Sequence, residues 1–190
     1  MKIAILDLTR PPLPLLSGIR RAGECIEDWL SQGFSDTKFE IFDIAGGIDQ
    51  VPSMRNFDAL VVSGSERSVY DDISWYVDVS DMLNESRKMG KPIIGICFGH
   101  QIMASTFGGE VRRSSRDDFV GIKKFVHSDG HIFNRFVWHH DQVTRPPDCA
   151  TVVASSDYCP FASLKYSFPA FSVQYHPCLL YTSPSPRDET

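Results

Sequence analysis

The sequence predicts an α/β fold: an open, mostly parallel sheet flanked by helices, with antiparallel β-hairpins in the C-terminal half. Three observations predict it. Short apolar runs alternate with amphipathic helical segments from Lys2 to Phe107. A cysteine, Cys97, stands between two glycines at a strand-to-helix junction. After Gly109 the helical signal stops, and short strand-like runs follow with turn residues between them.

Lys2 to Leu8 is a short apolar run and reads as a buried strand. Ser17 is placed to cap a helix whose apolar positions Ile19, Ala22, Ile26, Trp29 and Leu30 share one face, with Gly33 as its stop. Phe39–Ile44 and Phe57–Val62 read as the second and third strands. A second helix carries Trp75, Val79, Met82 and Leu83 and stops at Gly90. Pro92–Ile96 reads as the fourth strand and Phe98–Phe107 as the next helix, which gives right-handed βαβ units. Phe119–Val126, Phe133–Trp138, Thr151–Ala154, Phe161–Tyr166 and Ala170–Tyr175 are the later strand candidates.

Composition excludes several classes. The chain has 190 residues, 19 basic against 24 acidic, for a net charge of −5. With 42% hydrophobic and 23% charged residues it is an ordinary globular composition rather than a disordered one. The acidic balance argues against nucleic acid as a partner. No apolar run approaches the roughly 20 residues of a membrane span. The start, Met1–Asp7, is too short and too soon acidic for an export signal, so a cytoplasmic setting is expected. Five cysteines (Cys25, Cys97, Cys149, Cys159, Cys178) without a CxxC pair indicate reduced thiols rather than a disulfide framework.

Gly95-Ile96-Cys97-Phe98-Gly99 has the G-x-C-x-G form of a nucleophile elbow, with a strand before it and a helix after it. The glycines give room where strand and helix backbones meet. The thiol stands at a helix N-terminus, where N–H groups and the dipole favour thiolate. The N–H of Phe98 can face a developing oxyanion. The alternative is a buried cysteine packed between two glycines. A base is needed, and among six histidines His176 is best placed, at the end of the apolar run Ala170–Tyr175, since reactive groups gather at the carboxyl ends of strands. His139 and His140 also end a strand and are the next candidates; His100 is less well aimed. His139-His140-Asp141 lacks a third ligand at suitable spacing, so neither a metal nor another cofactor is expected. Ser63-Gly64-Ser65 ends the third strand, and its N–H groups can serve the same oxyanion.

These residues resemble the class I glutamine amidotransferases. The resemblance runs from about Lys2 to Pro177 and rests on Pro92–Gln101, Gly108-Gly109, His139–Val143 and Gln174-Tyr175-His176-Pro177. Val62–Asp72 is similar to the stand-alone members, related to the glutaminase part of GMP synthase and to plant γ-glutamyl peptidases. The resemblance implies a flavodoxin-like three-layer fold. It also implies attack by Cys97 on the γ-carboxamide of glutamine, proton transfer through His176, and a γ-glutamyl thioester that water hydrolyses. Gln101 matches the position that helps seat the substrate, and His139 and Asp141 match the loop beside the pocket. The released ammonia or glutamyl group passes to an acceptor or a synthetase partner. The rival expectations are a peptidase acting on γ-glutamyl peptides or conjugates, and a catalytically silent binding or regulatory homologue.

One position departs from the pattern. The family reads H-P-E, whereas the run here is His176-Pro177-Cys178. A thiol is a weak acceptor and cannot replace the carboxylate that orients the histidine, so impaired activity is expected. Composition turns to Ser and Pro at the same place. The reading this favours is a domain of residues 1–177 cut short inside its motif, followed by a non-native-looking or disordered tail, 178–190.

Overall fold

A computed structural model describes residues 1–10, 20–114 and 120–179. The elements in chain order are β1 (Lys2–Asp7), α1 (Ala22–Ser31), β2 (Lys38–Asp43), a 3-10 turn (Met54–Asn56), β3 (Ala59–Val62), α2 (Tyr76–Lys88), β4 (Ile93–Ile96) and α3 (Phe98–Thr106). Then come β5 (Glu110–Arg113), β6 (Val120–His127), β7 (Ile132–Trp138), β8 (Asp141–Arg145), β9 (Ala150–Ser155), β10 (Ser163–Tyr166) and β11 (Ala170–Val173).

Nine strands form one sheet in the order β2-β1-β3-β4-β11-β10-β9-β6-β7. The pairings from β2 to β11 are parallel, and those from β11 to β7 are antiparallel. The expected parallel core and C-terminal hairpins are therefore halves of one sheet. The far edge curls back: Phe136 of β7 bridges His176, just past β11, through a 2.9 Å bond from the His176 N–H to the Phe136 carbonyl. Without that return the base candidate would sit on a free turn.

The two-residue repeat of the strands sorts side chains to two faces. Ala4, Leu6, Leu60, Val62 and Ile93 pack on one side with Val79, Met82 and Leu83 of α2 and with Phe98, Ile102 and Met103 of α3. Ile3, Ile5, Val61, Ile96 and Val173 pack on the other side with Ile26 and Leu30 of α1, and with Phe125, Val137 and Tyr175 of the antiparallel half. This is a three-layer arrangement, and each of its buried Val, Leu, Ile, Met and Phe side chains contributes roughly 1.5–3 kcal/mol on burial.

The structure corrects the helix start. The cap of α1 is Arg21; Ser17 and Ile19 lie outside the described residues. The Arg21 guanidinium pairs with Asp7 at 3.3 Å and Asp43 at 2.6 Å, at the ends of β1 and β2. Its backbone N–H bonds Glu24. Anchorage to the sheet therefore sets where the helix begins. Two strands were not foreseen, β5 and β8, which pair with each other. Each contributes one inward apolar residue, Val111 opposite Val143, too few for an alternating pattern. Phe119 and the tail from 180 onward lie outside the described residues.

Candidate active site

The elbow is built by close approach. A Cβ on Gly99 would stand 2.2 Å from the Val62 carbonyl oxygen, and one on Gly95 2.5 Å from that of Gly99. With glycine at both places α3 settles onto β3 and β4, and the Gly99 N–H bonds the Ser63 carbonyl at 3.0 Å. Cys97, between them, has φ 55° and ψ −105°, the one positive φ outside glycine among the described residues. Such a backbone costs of order 1–3 kcal/mol and persists only where the surroundings impose it. Here the Cys97 N–H is held by the Val173 carbonyl at 2.8 Å, and the Phe98 ring is wedged edge-on against Trp75 at 5.7 Å.

The thiol is nearly enclosed, with 4% of Cys97 exposed. Its Sγ–H donates to the Trp138 carbonyl at 3.6 Å, and Gln174 Nε2 donates to Sγ at 3.8 Å. His176 faces the same place. A Cβ built on Gly64 would lie 3.6 Å from both Cys97 Cβ and His176 Cε1. The imidazole Nε2 is buried with no hydrogen-bond partner, and the Trp138 backbone acts on the ring in the raising direction, as a bond from a ring N–H to a carbonyl does. A proton on Nδ1 fits that bond and leaves the Nε2 lone pair available.

Burial, not the helix end, governs the thiol's charge. It pushes the Cys97 thiol up to about 12, against the smaller lowering effects of the Phe98 N–H and the Gln174 amide. The expected thiolate at the helix N-terminus is thereby corrected: the resting group is a neutral thiol. Burial likewise lowers His176, with its bond to the Trp138 backbone acting the other way. The resting pair is neutral thiol beside neutral imidazole.

The other expected residues divide into those around the thiol and those elsewhere. The Phe98 N–H acts on the thiol in the lowering direction. Gln101 Nε2 donates to the Asp141 carbonyl at 2.8 Å and to Gln174 Oε1 at 3.2 Å. His139 Nδ1 bonds the same carbonyl at 2.9 Å, and its ring stacks on Tyr158. The Asp141 carboxylate accepts from Tyr70 OH at 2.7 Å, which ties the loop after β3 to β8. The Ser65 hydroxyl accepts from the Arg67 N–H at 3.2 Å, which leaves its backbone N–H as the group expected to serve an oxyanion. Ser63 joins β3 to β1, accepting from the Leu8 N–H at 2.8 Å. His100 is fully buried, 2.8 Å from Ser172 Oγ, and takes no part around the thiol. Sequence reasoning did not assign Gln174 or Trp138. Gln174 opens the motif that ends at Pro177; Trp138 acts through its backbone carbonyl, which no residue type signals. A groove of about 690 Å³ lies beyond Tyr70, against Gly109 and Arg113, and does not include Cys97.

The buried histidines make the fold acid-sensitive. Burial takes His100 down to about 3 and His139 down to about 4, both from 6.5. Below the unfolded value the unfolded chain binds more protons than the folded one, so stability falls as pH falls from 6.5 toward those values. Going from pH ~7 to ~5 is expected to cost about 2 kcal/mol for each of these two residues. Urea unfolding at the two pH values checks this, and equal midpoints would refute it.

The chain is similar to known proteins in sequence and in fold. The family model described as glutamine amidotransferase class-I matches residues 30–183. The glutamine-hydrolysing GMP synthase subunit of Methanococcus maripaludis is 36% identical over 99 residues, 48% of this chain and 52% of that protein. Gamma-glutamyl peptidase 3 of Arabidopsis thaliana is 26% identical over 162 residues, 76% of this chain and 64% of that protein. The alignments thus span about half the length of the GMP synthase subunits. A crystal structure of a glutamine amidotransferase from Thermotoga maritima superposes with a TM-score of 0.76 at 21% identity, covering 92% of this chain and 75% of that one. A putative GMP synthase subunit from Thermoplasma acidophilum gives 0.71 at 22%, covering 94% and 85%. At those identities the likeness is one of fold.

Proposed function

We propose that this chain, which belongs to the class-I glutamine amidotransferase family, hydrolyses a γ-glutamyl amide, glutamine first, through Cys97 and His176. The observation that carries this reading is that thiol and imidazole both face Gly64: a Cβ built there would lie 4.0 Å from Cys97 Sγ and 3.6 Å from His176 Cε1. Cys97 Sγ attacks the γ-carboxamide carbon while its proton passes to His176 Nε2. The oxyanion that forms is held by the Phe98 N–H and the backbone at Gly64. The C–N bond breaks as His176 returns the proton to the departing amine, leaving a γ-glutamyl thioester. Water then adds to the thioester, giving glutamate and the free thiol.

A neutral resting pair means that the proton moves during attack rather than before it. The lowered His176 is neutral at and above the ordinary histidine range, so catalysis weakens only on the acid side. Cys178 does not supply the family's carboxylate, since burial pushes its thiol up to about 11 and keeps it uncharged. The orientation of His176 then rests on the Trp138 backbone and the Phe136 carbonyl. Turnover is accordingly slower than with a charged partner. The ammonia goes to an acceptor, or to a synthetase partner as the name of the Methanococcus protein implies for that protein. A cytoplasmic setting keeps the thiol reduced.

The buried, neutral thiol favours one second reading, a binding homologue without turnover. Glutamate release from glutamine and from a γ-glutamyl dipeptide distinguishes the cases. Release from glutamine supports the proposal, and release from the dipeptide alone supports a peptidase. Binding without release from either would leave the silent homologue.

A further inference from the structure

Gln174 is wholly buried on the turn after β11, where its N–H is fixed to the Ala162 carbonyl at 2.8 Å. Its side chain joins two things of known orientation. Gln101, one helical turn after Cys97, donates Nε2 to the Asp141 carbonyl and to Gln174 Oε1. Gln101 therefore meets Gln174 as a donor, which makes the facing atom of Gln174 its carbonyl oxygen. The NH₂ end is thereby turned to the sulfur, 3.8 Å away. The thiol is gripped from two sides, with its proton toward the Trp138 carbonyl and its lone pair toward Gln174. When the proton leaves, the Trp138 contact loses its donor. The Gln174 contact becomes charge-assisted and strengthens.

We propose that Gln174 is a positioning residue for the nucleophile: its amide, held one way round by Gln101, donates to Cys97 Sγ and stabilises the thiolate as it forms. This rests on Cys97 being the nucleophile, as proposed above. The Gln174 amide adds no contact to the substrate, so its effect falls on kcat and leaves KM unchanged.

The test is the rate of iodoacetamide alkylation at Cys97, read from its peptide by mass spectrometry in the full chain. Below the thiol's value of about 12 that rate follows the thiolate fraction. Gln174→Met keeps the length, and Gln101 retains its Asp141 bond. The variant is expected to alkylate about tenfold more slowly at one fixed alkaline pH, the effect of one hydrogen bond to a charge. Gln174→Glu, which still accepts from Gln101 but donates nothing as a carboxylate, is expected to be at least as slow and covers the case in which the first variant fails to fold. Alkylation at the parent rate in either folded variant would overturn the proposal. Alkylation needs no substrate, so failure here is distinct from failure of glutamate release.

Discussion

Replacing Cys97 with alanine is expected to lower kcat for glutamate release by roughly 10⁴–10⁶-fold, the scale on which a nucleophile in a covalent mechanism is missed. The loss is chemical rather than structural. The elbow is imposed by Gly95 and Gly99 and by the bond from the Cys97 N–H to the Val173 carbonyl, all of which survive the change. Only one buried sulfur is removed, so the cavity left costs about 1 kcal/mol. The measurement is steady-state release together with a thermal melt: activity vanishes while the melt shifts by a few degrees. Residual turnover near the parent value would require another nucleophile.

Replacing Gly99 with alanine is expected to have the largest structural effect. The new Cβ would stand 2.2 Å from the Val62 carbonyl oxygen, 2.9 Å from its carbon and 3.1 Å from the Ser63 oxygen. These are backbone atoms of β3 and its following turn, so no rotamer relieves the clash. The helix must lift from the sheet, which breaks the Gly99 N–H bond to Ser63 and moves Cys97 away from Gly64. Overpacking of this kind costs about 3 kcal/mol or more, a large part of the roughly 5–15 kcal/mol that holds a domain together. Gly47 supplies the contrast: it has φ +70° and nothing within 4 Å of a built Cβ. Alanine there meets only the backbone strain of about 1–2 kcal/mol. Urea unfolding of both variants compares steric clash with strain, and a Gly99→Ala midpoint at or above that of Gly47→Ala would contradict the elbow geometry.

The parallel half of the fold was legible because its strands are buried on both faces. Ile3 to Leu6, Val61-Val62 and Ile93–Ile96 read as apolar runs for that reason, and glycine punctuates them where backbones meet. The antiparallel half was legible as hairpins but not as a continuation of the same sheet. Its return to His176 depends on one backbone bond at Phe136, which has no residue signature. β5 and β8 were invisible because two strands that bury one valine each leave no periodicity. Within the candidate site, the side chains the proposed chemistry uses, Cys97 and His176, stand in motifs and could be named in advance. The charge state of the thiol could not be. A helix N-terminus argues for thiolate, but burial outweighs it, and burial depends on how far the Trp138 and Gln174 segments close over the sulfur.

The whole mechanism depends on Cys97 carrying the γ-glutamyl group. Acid-quenched turnover of glutamine followed by peptide mass spectrometry reads this out. The expected result is a mass increase of one γ-glutamyl group on the Cys97 peptide, formed during turnover, cleared as substrate is exhausted, and missing in Cys97→Ala. Glutamate release with the adduct on another residue, or continued release from Cys97→Ala, would contradict it.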